Sequence, residues 1–389
     1  MARCLTLVLL ALVALPALAL GRALDPDDIH PLLPTPYYFT NGTRTLAVNA
    51  NAFRFALAPG ATASSEVLCA AAARYTTLMF AWGEGGAPGG SALAGCAVAV
   101  VNGSDAAFQL LDDESYTLTV STAGGCALTA PTVWGALRGL ETLSQLIEYS
   151  PAAEAYELRM APWSITDRPT FPQRGLLIDT ARHWLTMPTL LRQIDALAYN
   201  KMNTLHWHAV DGDSFPIVSE SFPKLASLGS FSESIFGPGS SSRRQVGMYS
   251  VAEQEQVVQY ARMRGVRVMI EFDLPGHASA WAAALPEIFI KCKPGMNGDF
   301  NGSSFVIDPT LPATWAFLDT FIGEFVKRFP DKVMHLGGDE VNTGCLNGSS
   351  SVRAWMKQRG TTDFRDVYIY FERQIHALGA KHGKDVQTW

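Results

Sequence analysis

Two adjacent carboxylates, Asp339 and Glu340, follow two glycines in the string His335-Leu336-Gly337-Gly338-Asp339-Glu340. Side-by-side acids repel each other, and a folding core has no use for them, so the pair points to chemistry. Three earlier strings carry residues of the same kind. Asp179, Arg182 and His183 follow the apolar run 175–178, with Arg174 just ahead of it. His206-Trp207-His208 leads to Asp211, and Glu271-Phe272-Asp273 leads to Gly276-His277. Acids, histidines and tryptophan without a phosphate-cradling glycine loop suit glycoside cleavage, since sugars offer apolar ring faces and many hydroxyls. Consecutive strand residues point to opposite faces, so Asp339 and Glu340 are not expected to flank one bond as glycosidase acids usually do. That favours a split in which one acid protonates the leaving oxygen and the other steadies the sugar's 2-acetamido group, whose oxygen is the nucleophile. A rival reading takes His206 and His208, two imidazoles on one strand face, as metal ligands of an amidohydrolase-like barrel.

The elements that must carry these residues alternate. Strand-like runs at 175–179, 202–210, 266–272 and 332–336 are separated by helical patterns at 188–200, 251–264 and 312–329. A helix over 364–381 leads into a fifth strand at 385–389, and Ser250 with Glu253 forms a capping box before one helix. Repeated βα units imply a parallel sheet, either doubly wound or a (β/α)8 barrel. The polar residues cluster at the C-terminal strand ends, which selects the barrel. Ahead of it, residues 25–165 read as a small α+β domain with helices at 64–80 and 133–149. Residues 161–172 form the junction, and the barrel occupies 170–389.

The chain has 389 residues, 48% hydrophobic and 17% charged, with a net charge of -6, which argues against a nucleic-acid partner. Residues 1–21 read as a secretory signal peptide: Arg3, an apolar run over 5–15, then Ala17-Leu18-Ala19. No membrane span is expected after its cleavage. Four sequons, at Asn41, Asn102, Asn301 and Asn347, sit in turn-like contexts and fit that route as glycosylation sites. Once Cys4 leaves with the signal, proximity pairs Cys69 with Cys96 and Cys292 with Cys345, leaving Cys126 free.

The strings FPQRGLLIDTARHW, YNKMNTLHWHAVD, RGVRVMIEFDLPGH and HLGGDEV resemble the family-20 glycoside hydrolases, and more narrowly the eukaryotic lysosomal-type β-N-acetylhexosaminidases. The resemblance implies a small α+β domain before a TIM barrel and exo-acting, retaining release of terminal β-linked N-acetylhexosamine. It makes Glu340 the general acid/base and Asp339 the group that orients the acetamide. Arg174, Asp211, His277 and Trp389 would bind the sugar, with His208 and Asp273 supporting them. It implies no cofactor or metal, a homodimer, and a lysosomal, vacuolar or extracellular location. Gly212 stands where the family usually has a second acid. The family's barrel also needs three more strands than the five read here, so the chain is expected to be an incomplete barrel. The alternative is a carbohydrate-binding fragment without turnover.

Overall fold

The computed structural model describes residues 32–82, 92–231, 247–292 and 305–389. The signal-peptide reading and Asn301 lie outside those residues. The first part of the chain builds a mixed sheet from β1 (Tyr38–Val48), β2 (Arg54–Leu57), β3 (Ala92–Leu93), β4 (Gly95–Asn102), β5 (Tyr116–Val120), β6 (Cys126–Thr132), β7 (Ile147–Ser150) and β8 (Ala155–Asp167). Its order is β2-β4-β6-β5-β8-β1-β3, with β7 on β8. After the single turn α1 (Ala61–Ser64), the helices α2 (Glu66–Met79) and α3 (Val133–Leu146) cover this sheet. The helix α3 carries Leu137, Leu140 and Leu143 into a core shared with Leu118, Leu128 and Trp163. Gly139 lets it lie close, because a Cβ there would stand 2.2 Å from Leu128 Cδ1.

Beyond Asp167 the chain enters the second sheet. Its strands are β9 (Gly175–Asp179), β10 (Thr204–Val210), β11 (Arg267–Phe272), β14 (Val333–His335) and β15 (Asp385–Gln387), all parallel and in that order. A short hairpin, β12 (Phe289–Lys291) with β13 (Phe305–Ile307), interrupts it. Between the strands run α4 (Met187–Tyr199), α5 (Lys224–Gly229), α6 (Val251–Arg262), α7 (Pro312–Arg328), α8 (Thr343–Leu346), α9 (Ser350–Arg359) and α10 (Arg365–Lys381). This is the expected α/β barrel architecture as five strands beside a small α+β unit. The Ser250–Glu253 capping box forms as read, with Glu253 N–H on Ser250 Oγ and Ser250 N–H on Glu253 Oε2. Alternation divides each strand. Leu205, Trp207, Val268, Ile270, Phe272 and Met334 face the helices and join one core with Leu190, Phe321 and Phe371. The opposite face holds Asp179, His208, Glu271, His335 and Gln387, which register side by side across all five strands.

One disulfide assignment is corrected. Cys96 pairs with Cys126, not Cys69, while Cys292–Cys345 forms as expected. The reason is register: β4 and β6 are neighbouring parallel strands with Ala97 opposite Ala127, which brings the Cys96 and Cys126 Cα atoms to 4.5 Å. Cys69 sits exposed on α2 with its thiol on the Ala63 carbonyl. Asn41 is also corrected in context, since it lies within β1 opposite Trp163, although it is exposed as a sequon should be. Asn102 and Asn347 are exposed at element ends. No described helix is long and apolar enough to cross a membrane.

Iodoacetamide applied to the unreduced, folded protein should label Cys69 and leave Cys96 and Cys126 unlabelled until reductant is added. Peptide mass spectrometry reads this directly, and early labelling of Cys126 would contradict the register.

Candidate active site

Where β9 ends, Asp179 folds the chain back. Its Oδ1 accepts the Ala181 and Arg182 N–H groups at 2.9 and 3.0 Å, and its Oδ2 takes Arg182 Nη1 at 2.9 Å. The Arg182 guanidinium thereby reaches over the next strand ends, with Nη2 2.7 Å from Asp211 Oδ2 and Nε 3.5 Å from Asp213 Oδ2. Arg174, expected to grip the sugar, is elsewhere. It precedes β9, and five residues at about 3.3 Å each put roughly 16 Å of strand between it and the rim. There it donates to Glu114 at 2.6 and 3.1 Å and to the Lys201 and Phe171 carbonyls. Glu114 also takes Arg138 from α3 and Asn203 ahead of β10, so Arg174 belongs to a buried clamp between the two sheets. A cavity of about 270 Å³ beside it is lined by Arg138, Arg174 and Lys201, and a larger cleft of about 610 Å³ lies against α7, away from the rim. The arginine at the rim is Arg182. Its place after a strand rather than before one was the signal that could have found it.

Asp211, at 1% exposure, receives His208 Nε2 at 3.0 Å and His277 Nδ1 at 3.3 Å as well as Arg182. Burial alone would raise its pKa; hydrogen bonds from His208 and His277 outweigh that and hold the carboxyl at about 2. His208 lies between two acids, its other nitrogen 2.8 Å from Glu271 Oε2. Burial would depress its pKa, but the bonds to Asp211 and Glu271 lift it to about 10. His277 is likewise raised, chiefly by its hydrogen bond to Asp211. Glu271, read at the rim without a role, accepts His206 Nε2 at 2.6 Å and Trp389 Nε1 at 2.8 Å, with His335 Nδ1 at 3.2 Å. Burial opposes its charge, and the three histidines prevail and lower its pKa well below the usual range. Asp273 goes the other way, raised by burial and then by the Asp339 charge. His208 and Asp273 are both buried behind the rim.

Asp339 and Glu340 lie past the end of β14, in a turn where Gly337, Gly338 and Glu340 have φ of 66°, 106° and 50°. Opposite-face alternation therefore does not apply to them. Both turn toward His277 Nε2, at 3.8 Å from Asp339 Oδ2 and 3.4 Å from Glu340 Oε2. Only glycine fits at 337, because a Cβ there would fall 1.8 Å from Asp273 Oδ1. The Glu340 side chain is 70% exposed and that of Asp339 36%. Trp389 anchors its indole nitrogen on Glu271 and leans over His335 at 4.8 Å, with the residue as a whole 58% exposed.

Among the described residues, four triplets of ligating side chains have their ligand atoms within 4.8 Å of one another, including His206–Glu271–His335 and His277–Asp339–Glu340. His206 and His208 do share a face, as the metal reading requires, yet both rings bond the same oxygen of Glu271. His206 Nε2 and both nitrogens of His208 are thereby engaged by carboxylates.

Residues 171–389 match the family described as "Glycosyl hydrolase family 20, catalytic domain", and residues 89–146 match "beta-acetyl hexosaminidase like". The chain is 36% identical to beta-hexosaminidase subunit alpha of Rattus norvegicus over 367 residues, covering 92% of this chain and 66% of that protein. It is 36% identical to beta-hexosaminidase subunit beta of Mus musculus over 395 residues, covering 98% and 70%. Among solved structures it is similar to a Flavobacterium johnsoniae chitobiase, with a TM-score of 0.75 at 27% identity, covering 92% of this chain and 52% of that one. The chain thus spans roughly two thirds of these curated relatives and half of the solved chain.

The charges at the rim set a pH dependence of stability. Folding raises the His208 pKa, so its ion pairs contribute in full below about 6.5, the unfolded value, and are lost as pH rises toward about 10. Asp273 acts in the same direction, because folding favours its neutral form over a range that begins near pH ~4. Glu271 and Asp211 are depressed, so their contribution is complete above ~4.3 and falls away in acid. The thermal midpoint should therefore peak near pH ~5 and decline through pH ~9. In His208→Gln the alkaline decline should be shallower. Scanning calorimetry across that range checks it, and an unchanged alkaline limb would remove His208 from the account.

Proposed function

The chain belongs to glycosyl hydrolase family 20, and from that premise we propose that it removes terminal, non-reducing β-linked N-acetylhexosamine from glycoconjugates with retention of configuration. The observation that carries this reading is the convergence of Asp339 and Glu340 beside His277, all three contributing oxygen or nitrogen atoms within 4.8 Å of one another. An inverting pair needs a water between carboxyls about 6.5–9.5 Å apart, which leaves no place for adjacent acids this close. With the acids on one side of the bond, the nucleophile comes from the substrate.

In the proposed reaction Glu340 gives its proton to the leaving oxygen as the C1–O bond breaks. The acetamide oxygen attacks C1 from the opposite face and closes an oxazolinium ring, while Asp339 accepts the acetamide N–H and balances the developing charge. Glu340, now ionised, takes a proton from water as that water attacks C1 and reopens the ring. Arg182 replaces Arg174 as the sugar-binding arginine, its fork suited to paired hydroxyls. Asp211 acts through Arg182 and His277, both of which it holds. Trp389 offers its open face to the acetamide methyl.

The remaining readings extend this proposal. The chain is read as an N-terminal domain over 25–165 followed by the barrel over 170–389. The N-terminal apolar run with exposed Asn41, Asn102 and Asn347 supports entry to the secretory path, glycosylation, and a lysosomal, vacuolar or extracellular site. Relatives are named as subunits, which supports assembly with a further chain, a homodimer being the simplest form.

Hydrolysis of a chromogenic N-acetyl-β-glucosaminide and its galactosaminide counterpart at acidic pH tests the reading. Glu340→Gln should lower kcat by about 100-fold or more. Arg182→Lys should lower kcat/KM by about 10–100-fold, as loss of a charged, forked contact costs ~1.5–3 kcal/mol. Arg174→Lys should leave kcat/KM within about threefold and lower the thermal midpoint instead. A folded chain that binds N-acetylglucosamine without hydrolysing either substrate would replace the hydrolase with a sugar-binding protein.

A further inference from the structure

The turn that carries the two acids has little stiffness of its own. Gly337 and Gly338 precede Asp339, both at positive φ, and glycine is the most permissive backbone unit. Neither has a side chain to pack. The turn is instead tied from three directions. Trp389 N–H, following β15, donates to the Gly337 carbonyl at 3.0 Å. Gly338 N–H donates to Asp273 Oδ1 at 3.2 Å, beyond β11. The third tie comes from a helix: Tyr368, in the first turn of α10, donates its hydroxyl to the Gly338 carbonyl at 2.8 Å.

We propose that Tyr368 is a positioning residue for the Asp339–Glu340 pair. The carbonyl it holds belongs to the peptide unit that carries the Asp339 N–H, so fixing that plane fixes the direction in which Asp339 and then Glu340 leave the backbone. The contact is close-fitting. A methyl at Gly338 would stand 3.2 Å from Tyr368 Oη and 3.3 Å from Glu372 Oε1. Glu372 lies one helical turn further along α10, its carboxyl beside the Tyr368 hydroxyl. Burial raises both groups: the Tyr368 phenol to about 12, helped by Glu372, and the Glu372 carboxyl above its ordinary range. A neutral phenol is the form that can donate to a carbonyl, so the tie persists through neutral and acidic pH. The role rests on the hydrolase reading above, because it is the aim of Glu340 at a leaving oxygen that the tie would protect.

Tyr368→Phe removes the hydroxyl and leaves the ring. On the full chain beside wild type, kcat for the N-acetyl-β-glucosaminide should fall by about 10–100-fold with KM within about twofold, since a displacement on the order of 1 Å at the acid is enough for such a loss. Hydrogen–deuterium exchange should quicken over residues 337–340 and stay level through the rest of the barrel. An unchanged kcat in an active enzyme would overturn the proposal, and so would exchange that quickens evenly across the strands, which would mark a merely structural tyrosine. If wild type itself hydrolyses nothing, the hydrolase reading fails on its own. The exchange result then decides the tie: local quickening keeps it, and no change over 337–340 removes it.

Discussion

A carboxylate shut off from water, Glu271, is what the inner face of the barrel is built around. An ionised acid at 0% exposure costs several kcal/mol unless it is paired and hydrogen-bonded. Here the pairing comes from three directions. His206 and His208 reach it from β10, Trp389 from beyond β15, and His335 stands against it from β14. Four of the five strands therefore meet at one charge. Because the histidines win over burial, the acid stays ionised and so keeps every donor aimed inward. Strand pairing alone would not select this arrangement, since β11 and β14 share a single registered pair, Glu271 with His335.

The same charge organises the rim one step outward. Glu271 makes His208 cationic, His208 and His277 keep Asp211 anionic, and His277 in turn faces Asp339 and Glu340. The sign alternates along this chain of contacts, and the cations that meet around Asp211 are held together by its charge. Arg182 joins at Asp211, its Nη1 also 3.0 Å from His208 Nε2, where both groups aim at the same acceptor. Asp273 is the exception to ionisation. Flanked by Asp339 and Glu271, it is held toward its neutral form, and the Gly338 N–H rests on it. A charged carboxyl there would be the third acid in a small volume.

What could be read from the chain was the periodicity and its ends. Alternating runs gave the five strands, and the clustering of acids and histidines after those runs located the rim, because barrel chemistry collects at C-terminal strand ends. That rule, applied strictly, separates Arg182 from Arg174, which flank opposite ends of β9. Similarity to a motif that contains both arginines obscured the difference. The cysteines failed for another reason. Cys69 and Cys126 lie at comparable distances along the chain from Cys96, and only the β4–β6 register, a long-range pairing, tells them apart. Glu271 was visible as an acid but not as the hub, since its value depends on which strands become neighbours. Tyr368 gave no signal, being one aromatic among several on an amphipathic helix.

Adjacent acids at first looked incompatible with a shared target, and the turn resolves that. Side-chain alternation belongs to extended backbone, and β14 ends at His335. With Gly337, Gly338 and Glu340 at positive φ, both acids swing to one side. They arrive in unlike surroundings. Asp339 Oδ1 is buried against the protein while Glu340 stands largely open. An acid that must first give a proton and then take one back from water needs access and freedom to move, which Glu340 has. In the proposed reaction the acid that holds the amide is the less open of the two, with Oδ1 turned into the protein. The two glycines that make the turn possible also make it soft, so the geometry must be imposed from outside by β11, β15 and α10. The asymmetry of the pair is thus a property of the turn's anchors more than of the two acids themselves.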